Sequence, residues 1–355
     1  MHAVMQPKTI LGSIVSSVFD ANAADFWLQK LNPIWSVNDS LGRIVEKSET
    51  ASDTVSLKIR INKNFKMGQA GQHHPVIVTH DGRRYERTYS LTQLDESHVL
   101  LTVKKIQKGI VSTWLCEISK IGDVIEFGVP YGDMLIQSNT APLLLLAAGS
   151  GITPMYSLLK TLVQSKQIEQ KPVQLMYWVK NQHDVAFKTE LEQWAIQYPN
   201  FKLHVFYTQE EAMDDRLNTA HQQLVENLAE MTVYSCGPSG FVATAEQVFA
   251  QAKEVKSEAF SLTPIVNDET GFITVTLSKS NQNVLIPKGQ SILLALEQQN
   301  IMPKHGCRMG VCNKCACHKA QGSTKNLVNG AENTEPGNLL KICVNSAQTD
   351  LVIDL

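Results

Sequence analysis

Cysteine spacing near the C-terminal end constrains this chain more than any other feature. The segment HGCRMGVCNKC, residues 305–315, contains Cys307, Cys312 and Cys315, and Cys343 follows in KICVNS. The chain has seven cysteines, an odd number, and four of them lie between residues 307 and 317. Crowding of this kind is typical of a metal site in a reducing compartment rather than of a disulfide framework.

The spacing of these cysteines indicates which metal group they bind. C-x4-C-x2-C followed by a distant fourth cysteine is the spacing with which a plant-type ferredoxin loop wraps a [2Fe-2S] cluster. Gly306 and Gly310 would let backbone N–H groups approach the sulfurs. A structural zinc site is the alternative, although zinc prefers C-x2-C pairs. Cys317 is expected to be an unligated thiol. The predicted ligands are Cys307, Cys312, Cys315 and Cys343.

Composition narrows the class of protein. A chain of 355 residues is long enough for two or three domains, and 43% hydrophobic and 19% charged residues with a net charge of −2 indicate a globular protein. There is no basic tail, which argues against a nucleic-acid partner. The apolar run at residues 141–149 is too short to cross a bilayer, and no leader pattern is evident, so we expect a cytoplasmic protein, either free or at the inner face of the membrane.

The pattern of apolar and polar residues along the sequence predicts a multidomain protein of β and α/β type. Alternating stretches such as TVSLKIRI indicate an antiparallel β-barrel, strands alternating with helices indicate a parallel α/β domain, and a final hairpin opens a β-grasp ferredoxin-like domain. The predicted divisions are an N-terminal helical extension at 1–40, the barrel at 41–138, the α/β domain at 139–252, a linker at 253–270 and the ferredoxin-like domain at 271–355.

Two segments of the α/β domain carry candidate nucleotide-binding residues. LLLLAAGSGITPMYSLL is a buried strand, a glycine turn at Gly149 to Gly151, and a helix opening at Thr153 and Pro154, where free N–H groups could bind a pyrophosphate. A tight turn with no ligand remains the alternative. In VYSCGPSGF, Cys236 ends a strand at the crevice where such sheets bind ligands, although a core cysteine is the commoner case.

The barrel contributes the stretch RYERTYSLTQ. Alternation on a strand places Arg87 and Tyr89 on one face and Ser90 on the other. A cation suits a phosphate, and a phenol ring suits a flat heteroaromatic ring, but an ordinary polar barrel face would show the same periodicity. Further on, Gly109, Val111, Ser112 and Thr113 open a short helix that could receive a second phosphate.

Together these motifs resemble the ferredoxin–NADP reductase superfamily, in the branch with a ferredoxin fused at the C-terminus, over about residues 41–355. The resemblance implies that Tyr89 packs on the isoalloxazine of FAD, that Ser90 bonds near its N5, and that Arg87 with Ser112 holds its pyrophosphate. It also implies that Thr153 and Cys236 face the nicotinamide, so that Ser90, Thr153 and Cys236 form the catalytic set. The cofactor-binding residues so implied are Arg87, Thr88, Tyr89, Ser90, Gly109, Val111, Ser112, Thr113, Gly149, Ser150, Gly151, Thr153, Pro154, Cys236, Gly237, Pro238, Glu258 and Phe260.

The resemblance also implies an electron-transfer reductase. A nicotinamide delivers two electrons as hydride, a cluster accepts one, and a flavin does both, so electrons are expected to pass from NAD(P)H through FAD to the [2Fe-2S] cluster. The segments FWLQKLNPIWSVND, GQAGQHHPV and YERTYSLTQ are similar to those of reductases that serve membrane acyl-CoA desaturases. A Rieske-type oxygenase or hydroxylase as acceptor, a stand-alone diaphorase or redox sensor, and a zinc-containing binding module are the alternatives.

Three further expectations concern the surface. Ile10, Ile14, Val15 and Val18 share a helical face and Phe26, Trp27, Leu31 and Trp35 follow, so the N-terminal arm either packs on the barrel or contacts a membrane or partner. Glu210 and Glu211 follow a strand where a 2′-phosphate would be repelled, which favours NADH, whereas the desaturase resemblance favours NADPH. Four bases near the cysteines would steer an acidic acceptor towards the cluster, or are ordinary solvated charges: Lys304, Arg308, Lys314 and Lys319.

Overall fold

The structure is a computed structural model that describes residues 21–107, 109–136, 141–210, 215–261, 271–310, 312–328 and 330–355. The predicted apolar face at residues 10–18 lies outside this part of the chain. The described chain begins with helix α1, Ala21–Leu31. Among the described residues, no helix is both long and apolar enough to cross a membrane.

Six antiparallel strands close the predicted barrel in the order β1-β2-β5-β4-β3-β6. Their alternating apolar side chains fill its interior, including Leu57, Ile59 and Leu101, which are fully buried. The strands are β1 (Leu41–Ala51), β2 (Thr54–Ile61), β3 (His73–His80), β4 (Arg83–Gln93), β5 (His98–Lys104) and β6 (Val124–Phe127), and the β5–β6 connection holds α2 (Ile110–Thr113) and a π-helical turn, Trp114–Ile118.

A parallel sheet follows, in the order β11-β10-β7-β8-β9, and its continuous apolar strands are covered by helices. Its elements are β7 (Leu143–Ala148), α3 (Ile152–Gln164), β8 (Val173–Val179), α4 (Lys188–Gln197), β9 (Phe201–Tyr207), β10 (Thr232–Pro238), α5 (Ser239–Val248) and β11 (Glu254–Ser261), with 3-10 turns at Gly149–Gly151, Gln167–Glu169, Gln182–Asp184, Thr219–Leu224 and Leu228–Glu230.

Strand β11 corrects one expectation. The sequence predicted a linker over 253–270, but Glu254–Ser261 pairs in parallel with β10 along its length. The segment is polar because β11 is an edge strand whose side chains are only partly buried.

The C-terminal part has the predicted β-grasp arrangement. Helix α6 packs on a mixed sheet of order β13-β12-β19-β14-β17, and a smaller sheet has the order β16-β15-β18. The elements are β12 (Phe272–Leu277), β13 (Gln282–Pro287), α6 (Ile292–Gln298), β14 (Ala316–Gln321), β15 (Thr324–Asn326), β16 (Glu332–Asn333), β17 (Leu339–Lys341), β18 (Asn345–Ala347) and β19 (Leu351–Ile353).

Candidate functional site

One cavity of about 750 Å³ lies where the barrel, the parallel sheet and the β-grasp domain meet. Its volume is in the range of small-molecule and cofactor sites. Most of the predicted site residues line it, and they come from all three parts of the fold. They are Arg87, Thr88, Tyr89, Ser90, Gly109, Val111, Ser112, Ser150, Thr153, Pro154, Cys236, Glu258, Phe260 and Cys307.

The barrel opens onto this cavity between β4 and β5. Strand β4 pairs with β3 over its first part, but it pairs with β5 only at Leu91–Gln93. The edge at residues 87–90 is therefore free of β5, and all four of its residues reach the cavity. Alternation places Ser90 on the strand face opposite Arg87 and Tyr89, and Ser90 nevertheless lines the cavity with them because the cavity meets the strand at its edge.

Arg87 supplies positive charge to this opening. Its guanidinium donates to the carbonyl oxygen of Glu86 at 2.7 Å, and among the described residues no carboxylate lies within salt-bridge distance of it. Burial, and then the neighbouring guanidinium of Arg308, lower the pKa of Arg87. A partly buried cation without an ion-pair partner fits an anionic ligand such as a flavin pyrophosphate.

The turn before α2 forms the adjacent wall. A side chain at Gly109 would place its Cβ 2.5 Å from Ser112 Oγ, so this position requires glycine. The buried Ser112 hydroxyl accepts from the Ile106 N–H at 3.2 Å and lies 3.4 Å from the Gly109 carbonyl oxygen. Thr113, which was predicted to bind the cofactor, is not among the residues that line the cavity.

The nucleotide turn meets β10 at very close range. Gly149 has a φ of +55°, and a Cβ at Gly151 would lie 2.0 Å from the carbonyl oxygen of Cys236. Thr153 Oγ1 donates to the Ser150 carbonyl oxygen at 3.1 Å. The predicted residues Gly149, Gly151, Gly237 and Pro238 do not line the large cavity, although Gly149 borders a small pocket beside it. We infer that they shape the turn rather than forming the cavity wall.

Cys236 is both buried and in contact with the cavity. Burial, followed by the nearby Glu258 carboxylate, raises the pKa of its thiol well above the ordinary value. The side chain therefore stays protonated and is a poor nucleophile. Its position suits a packing contact with a ring in the cavity.

A hydrogen-bonded chain crosses the cavity wall and contains a residue that sequence reasoning missed. His73 Nδ1 lies 3.0 Å from Ser90 Oγ, and His73 Nε2 hydrogen-bonds Glu258. His73 pairs directly with Ser90 across β3 and β4, and Glu258 pairs with Cys236 across β11 and β10. The doublet HHP in the sequence gave no indication of this register.

The four predicted metal ligands form two pairs, and of the four only Cys307 lines the cavity. Cys315 Sγ is 3.1 Å from Cys343 Sγ. Cys307 Sγ accepts from the N–H of Cys312 at 3.4 Å, and Cys312 Sγ accepts from the N–H of Cys307 at 3.3 Å. The hydrogen bond shared with Cys343 is the main cause that lowers the pKa of Cys315, and so favours the thiolate that binds metal.

This arrangement distinguishes between a cluster and zinc. Within the described ranges, no three His, Cys, Asp or Glu side chains converge on one point that a single ion could occupy. Two pairs of thiols fit two iron atoms, as in a [2Fe-2S] cluster with four cysteines. A Cβ at Gly306 would lie 3.0 Å from Cys312 Sγ, so a larger residue at this position would crowd that sulfur. The donor set therefore fits a [2Fe-2S] cluster held by four cysteines.

The β-grasp domain contacts the barrel beside these cysteines. Lys314 Nζ lies 2.5 Å from Glu86 Oε2, and Cys307 and Met309 line the cavity. Tyr131, a second residue that sequence reasoning missed, also lines it and shares a hydrogen bond of 2.7 Å with Thr88 Oγ1.

The bases predicted to steer an acceptor are mostly engaged inside the chain, which contradicts that reading for three of the four. Lys314 pairs with Glu86, Arg308 makes a bidentate pair with Glu297, and Lys319 is buried and donates to Asn333. Lys304 is exposed. A local charge count could not reveal the partner of Lys314, because Glu86 is 228 positions away along the chain.

Comparisons with known proteins agree with this geometry. The chain matches the oxidoreductase FAD-binding domain over residues 42–136, the oxidoreductase NAD-binding domain over 145–247 and the 2Fe-2S iron-sulfur cluster binding domain over 275–345. It is 31% identical over 341 residues to an NADPH oxidoreductase of Mycobacterium tuberculosis, which covers 93% of this chain and 88% of that protein. The chain belongs to the ferredoxin–NADP reductase-like flavoproteins with a C-terminal 2Fe-2S domain.

Two further relatives are less similar in sequence than this oxidoreductase. The ferredoxin reductase component of 3-ketosteroid-9-alpha-monooxygenase from Mycolicibacterium smegmatis is 26% identical, over 88% of this chain and 94% of that protein. The solved structure of phthalate dioxygenase reductase has the same fold, with a TM-score of 0.64, 24% identity, and coverage of 89% of this chain and 97% of that one. This reductase therefore transfers electrons from NAD(P)H through FAD to a [2Fe-2S] cluster.

Proposed function

We propose that this reductase takes hydride from NAD(P)H in the central cavity and passes single electrons through the cysteine loop to a terminal oxygenase. The observation that carries the proposal is that Cys307 and Met309 line the same cavity as Arg87 and Tyr89. A flavin held by the barrel would then touch the wall that carries a cluster ligand, so electrons need no further carrier between the two groups.

Different residues around the cavity would bind the FAD, the nicotinamide and the cluster. Arg87 and the turn at Gly109 to Ser112 would hold the FAD pyrophosphate, and Tyr89 would pack on the ring. Thr153 and Cys236, on the opposite wall, would position the nicotinamide. Cluster ligation belongs to Cys307, Cys312, Cys315 and Cys343.

A separate set of hydrogen-bonded residues could carry a proton away from the cavity. Bound FAD would accept two electrons as hydride and release them singly. The chain of Ser90, His73 and Glu258 offers connected hydrogen-bonding atoms from the cavity wall to a carboxylate on β11. His73 can take a proton on one ring nitrogen and release it from the other, so this chain can accept the proton that leaves when the electrons depart.

A terminal oxygenase is the favoured acceptor because two relatives that span most of the chain carry oxygenase names, one for a 3-ketosteroid monooxygenase and one for phthalate dioxygenase. The test follows anaerobic reduction by NADH or NADPH, with flavin bleaching and the electron paramagnetic resonance (EPR) signal of the reduced cluster recorded together. A purified Rieske-type oxygenase is then added. Saturable reoxidation by the oxygenase supports the proposal, whereas reoxidation no faster than by an equal concentration of cytochrome c contradicts it.

A membrane acyl-CoA desaturase is a second candidate, favoured by one surface observation. Phe26, Trp27, Leu31 and Trp35 are all at least half exposed on and just after α1. Aromatic side chains on an exposed helix suit contact with a membrane interface or an apolar partner. Residues that follow α1 are tied to the barrel, since the Ile34 carbonyl oxygen accepts from Asn62 Nδ2 at 3.0 Å.

Substitutions can show whether the arm contacts a membrane or only packs on the barrel. Trp27→Ala should weaken binding to anionic vesicles and turnover of a vesicle-bound desaturase, and leave thermal stability unchanged. Ile34→Ala is the matched control, because Ile34 is buried, and should lower stability without a specific loss of vesicle binding. Equal vesicle binding by wild type and Trp27→Ala would remove the support for a desaturase.

A further inference from the structure

The β-grasp domain contributes two apolar residues to the wall of the central cavity. Met309 belongs to the cysteine loop, and Val328 lies in the connection between β15 and β16. Both line the cavity together with Arg87 and Tyr89 of the barrel. Val328 is 48% exposed, although its side chain is apolar and β-branched. A bound molecule that covered these two residues would remove apolar surface from water, which is favourable.

One buried residue, Val344, supports both of them from the core of the β-grasp domain. Its side chain packs on the cysteine loop, since a Cβ at Gly310 would lie 2.9 Å from Val344 Cγ2. Its carbonyl oxygen accepts from the N–H of Leu327 at 2.8 Å. Met309 and Val328 are the chain neighbours of these two contact residues. The pair therefore forms one supported surface, the Met309–Val328 surface.

The barrel and the β-grasp domain are built as separate units. In the part of the chain that the structure describes, no strand of the barrel pairs with a strand of the β-grasp domain, and their hydrophobic cores share no residue. The ion pair of Lys314 with Glu86 joins them, but its lysine is 44% exposed, and exposed ion pairs contribute little. The cavity of about 750 Å³ lies between the two units. A molecule that fills it would add apolar contact between them.

We propose that the Met309–Val328 surface is an interaction surface for the FAD held by the barrel, so that the flavin itself joins the β-grasp domain to the barrel. Binding of FAD and docking of the β-grasp domain are then coupled. Such coupling is reciprocal: FAD favours the docked arrangement, and the docked domain raises the affinity for FAD. The inference rests on the proposed placement of FAD in this cavity.

The test removes FAD from the full-length, cluster-containing protein and adds it back, with flavin fluorescence and the radius of gyration from small-angle X-ray scattering recorded together. In wild type, FAD should lower the radius of gyration. The double variant Met309→Gln with Val328→Thr keeps the size of both side chains but makes them polar, and it should bind FAD about fivefold more weakly or worse. Its FAD-loaded form should keep a larger radius of gyration than wild type.

Leu339→Gln is the matched control. Leu339 is an apolar residue of the same domain that is 57% exposed, and it is not among the residues that line the cavity. This variant should bind FAD, and compact on binding it, as wild type does.

The outcomes separate the inference from its premise. Binding of FAD by Arg87→Glu at wild-type affinity would remove the placement of the flavin itself. If Arg87→Glu loses FAD, but the double variant binds FAD and compacts as Leu339→Gln does, the role of the Met309–Val328 surface alone is overturned. If removal of FAD also removes the cluster, quenching of flavin fluorescence by iodide in the loaded proteins decides. Iodide should quench the double variant more strongly than Leu339→Gln, and equal quenching overturns the proposal.

Discussion

The ion pair between Glu86 and Lys314 joins the barrel to the cysteine loop, and its removal should slow electron transfer from flavin to cluster. Their side chains are 16% and 44% exposed, and Nζ lies 2.5 Å from Oε2. The perturbation is Glu86→Lys, which replaces attraction by repulsion without altering the loop that holds the cysteines. Glu96→Lys is the matched control, because Glu96 is an exposed acid of the same barrel away from this contact.

The size of the effect follows from the exposure of the pair. Exposed ion pairs contribute about 0.2–1 kcal/mol, and the low exposure of Glu86 places this one near the upper end. Loss of that attraction, together with a like-charge repulsion of similar size, amounts to about 2 kcal/mol. The ratio of docked to undocked domain should then fall by roughly 30-fold.

Stopped-flow mixing with NADH under anaerobic conditions measures this directly. Flavin reduction should proceed at the wild-type rate in Glu86→Lys, and the later reduction of the cluster should be slower. The defect should shrink at high salt, because the Debye length falls from about 10 Å at 0.1 M to about 3 Å at 1 M. The exchanged double variant, Glu86→Lys with Lys314→Glu, should recover most of the rate.

The reasoning fails if Glu86→Lys reduces its cluster as fast as Glu96→Lys at low salt. It also fails if the exchanged double variant is no faster than the single variant, since the pair would then act through something other than charge.

Further predictions concern single residues. Cys312→Ser should contain no cluster by iron assay yet still reduce ferricyanide from NAD(P)H through the flavin. Cys236→Ala should slow flavin reduction in stopped flow while FAD stays bound. Glu210 accepts from the Gln182 N–H at 2.7 Å, where its charge would repel a 2′-phosphate, so Glu210→Lys should raise kcat/KM for NADPH relative to NADH. Burial lowers the pKa of His74 from 6.5 to about 4, so the fold should lose roughly 3 kcal/mol as pH falls from about 6.5 to 4, and denaturant midpoints of His74→Gln should vary less.

Much of the fold and the site could be predicted because the decisive residues are local in sequence. The cysteine spacing, the R-x-Y-S stretch and the glycine turn each lie within a few positions, and each places its side chains through one strand or one turn. The three parts of the fold were likewise visible in the change from alternating to continuous apolar strands. Glu211, which was predicted to repel a 2′-phosphate, lies outside the described residues.

The residues that were missed depend on contacts between distant segments. His73 reaches Ser90 only through the register of β3 with β4, and it bridges to Tyr131 from another loop. Lys314 was read as a free surface charge because its partner is 228 positions away. The desaturase acceptor was inferred from short similar segments, and two of the relatives compared above carry oxygenase names instead, so it stays a hypothesis.

Placement of the cysteine loop has a consequence for the order of electron transfer. Cys307 faces the flavin cavity while Cys315 and Cys343 are buried within the β-grasp core, so the most direct route into the cluster is through the docked face. The same docked face carries the ion pair of Glu86 with Lys314, which links the barrel to the cysteine loop. Docking would therefore hold Cys307 at the flavin cavity while the cluster accepts an electron, and separation would open that face to an acceptor.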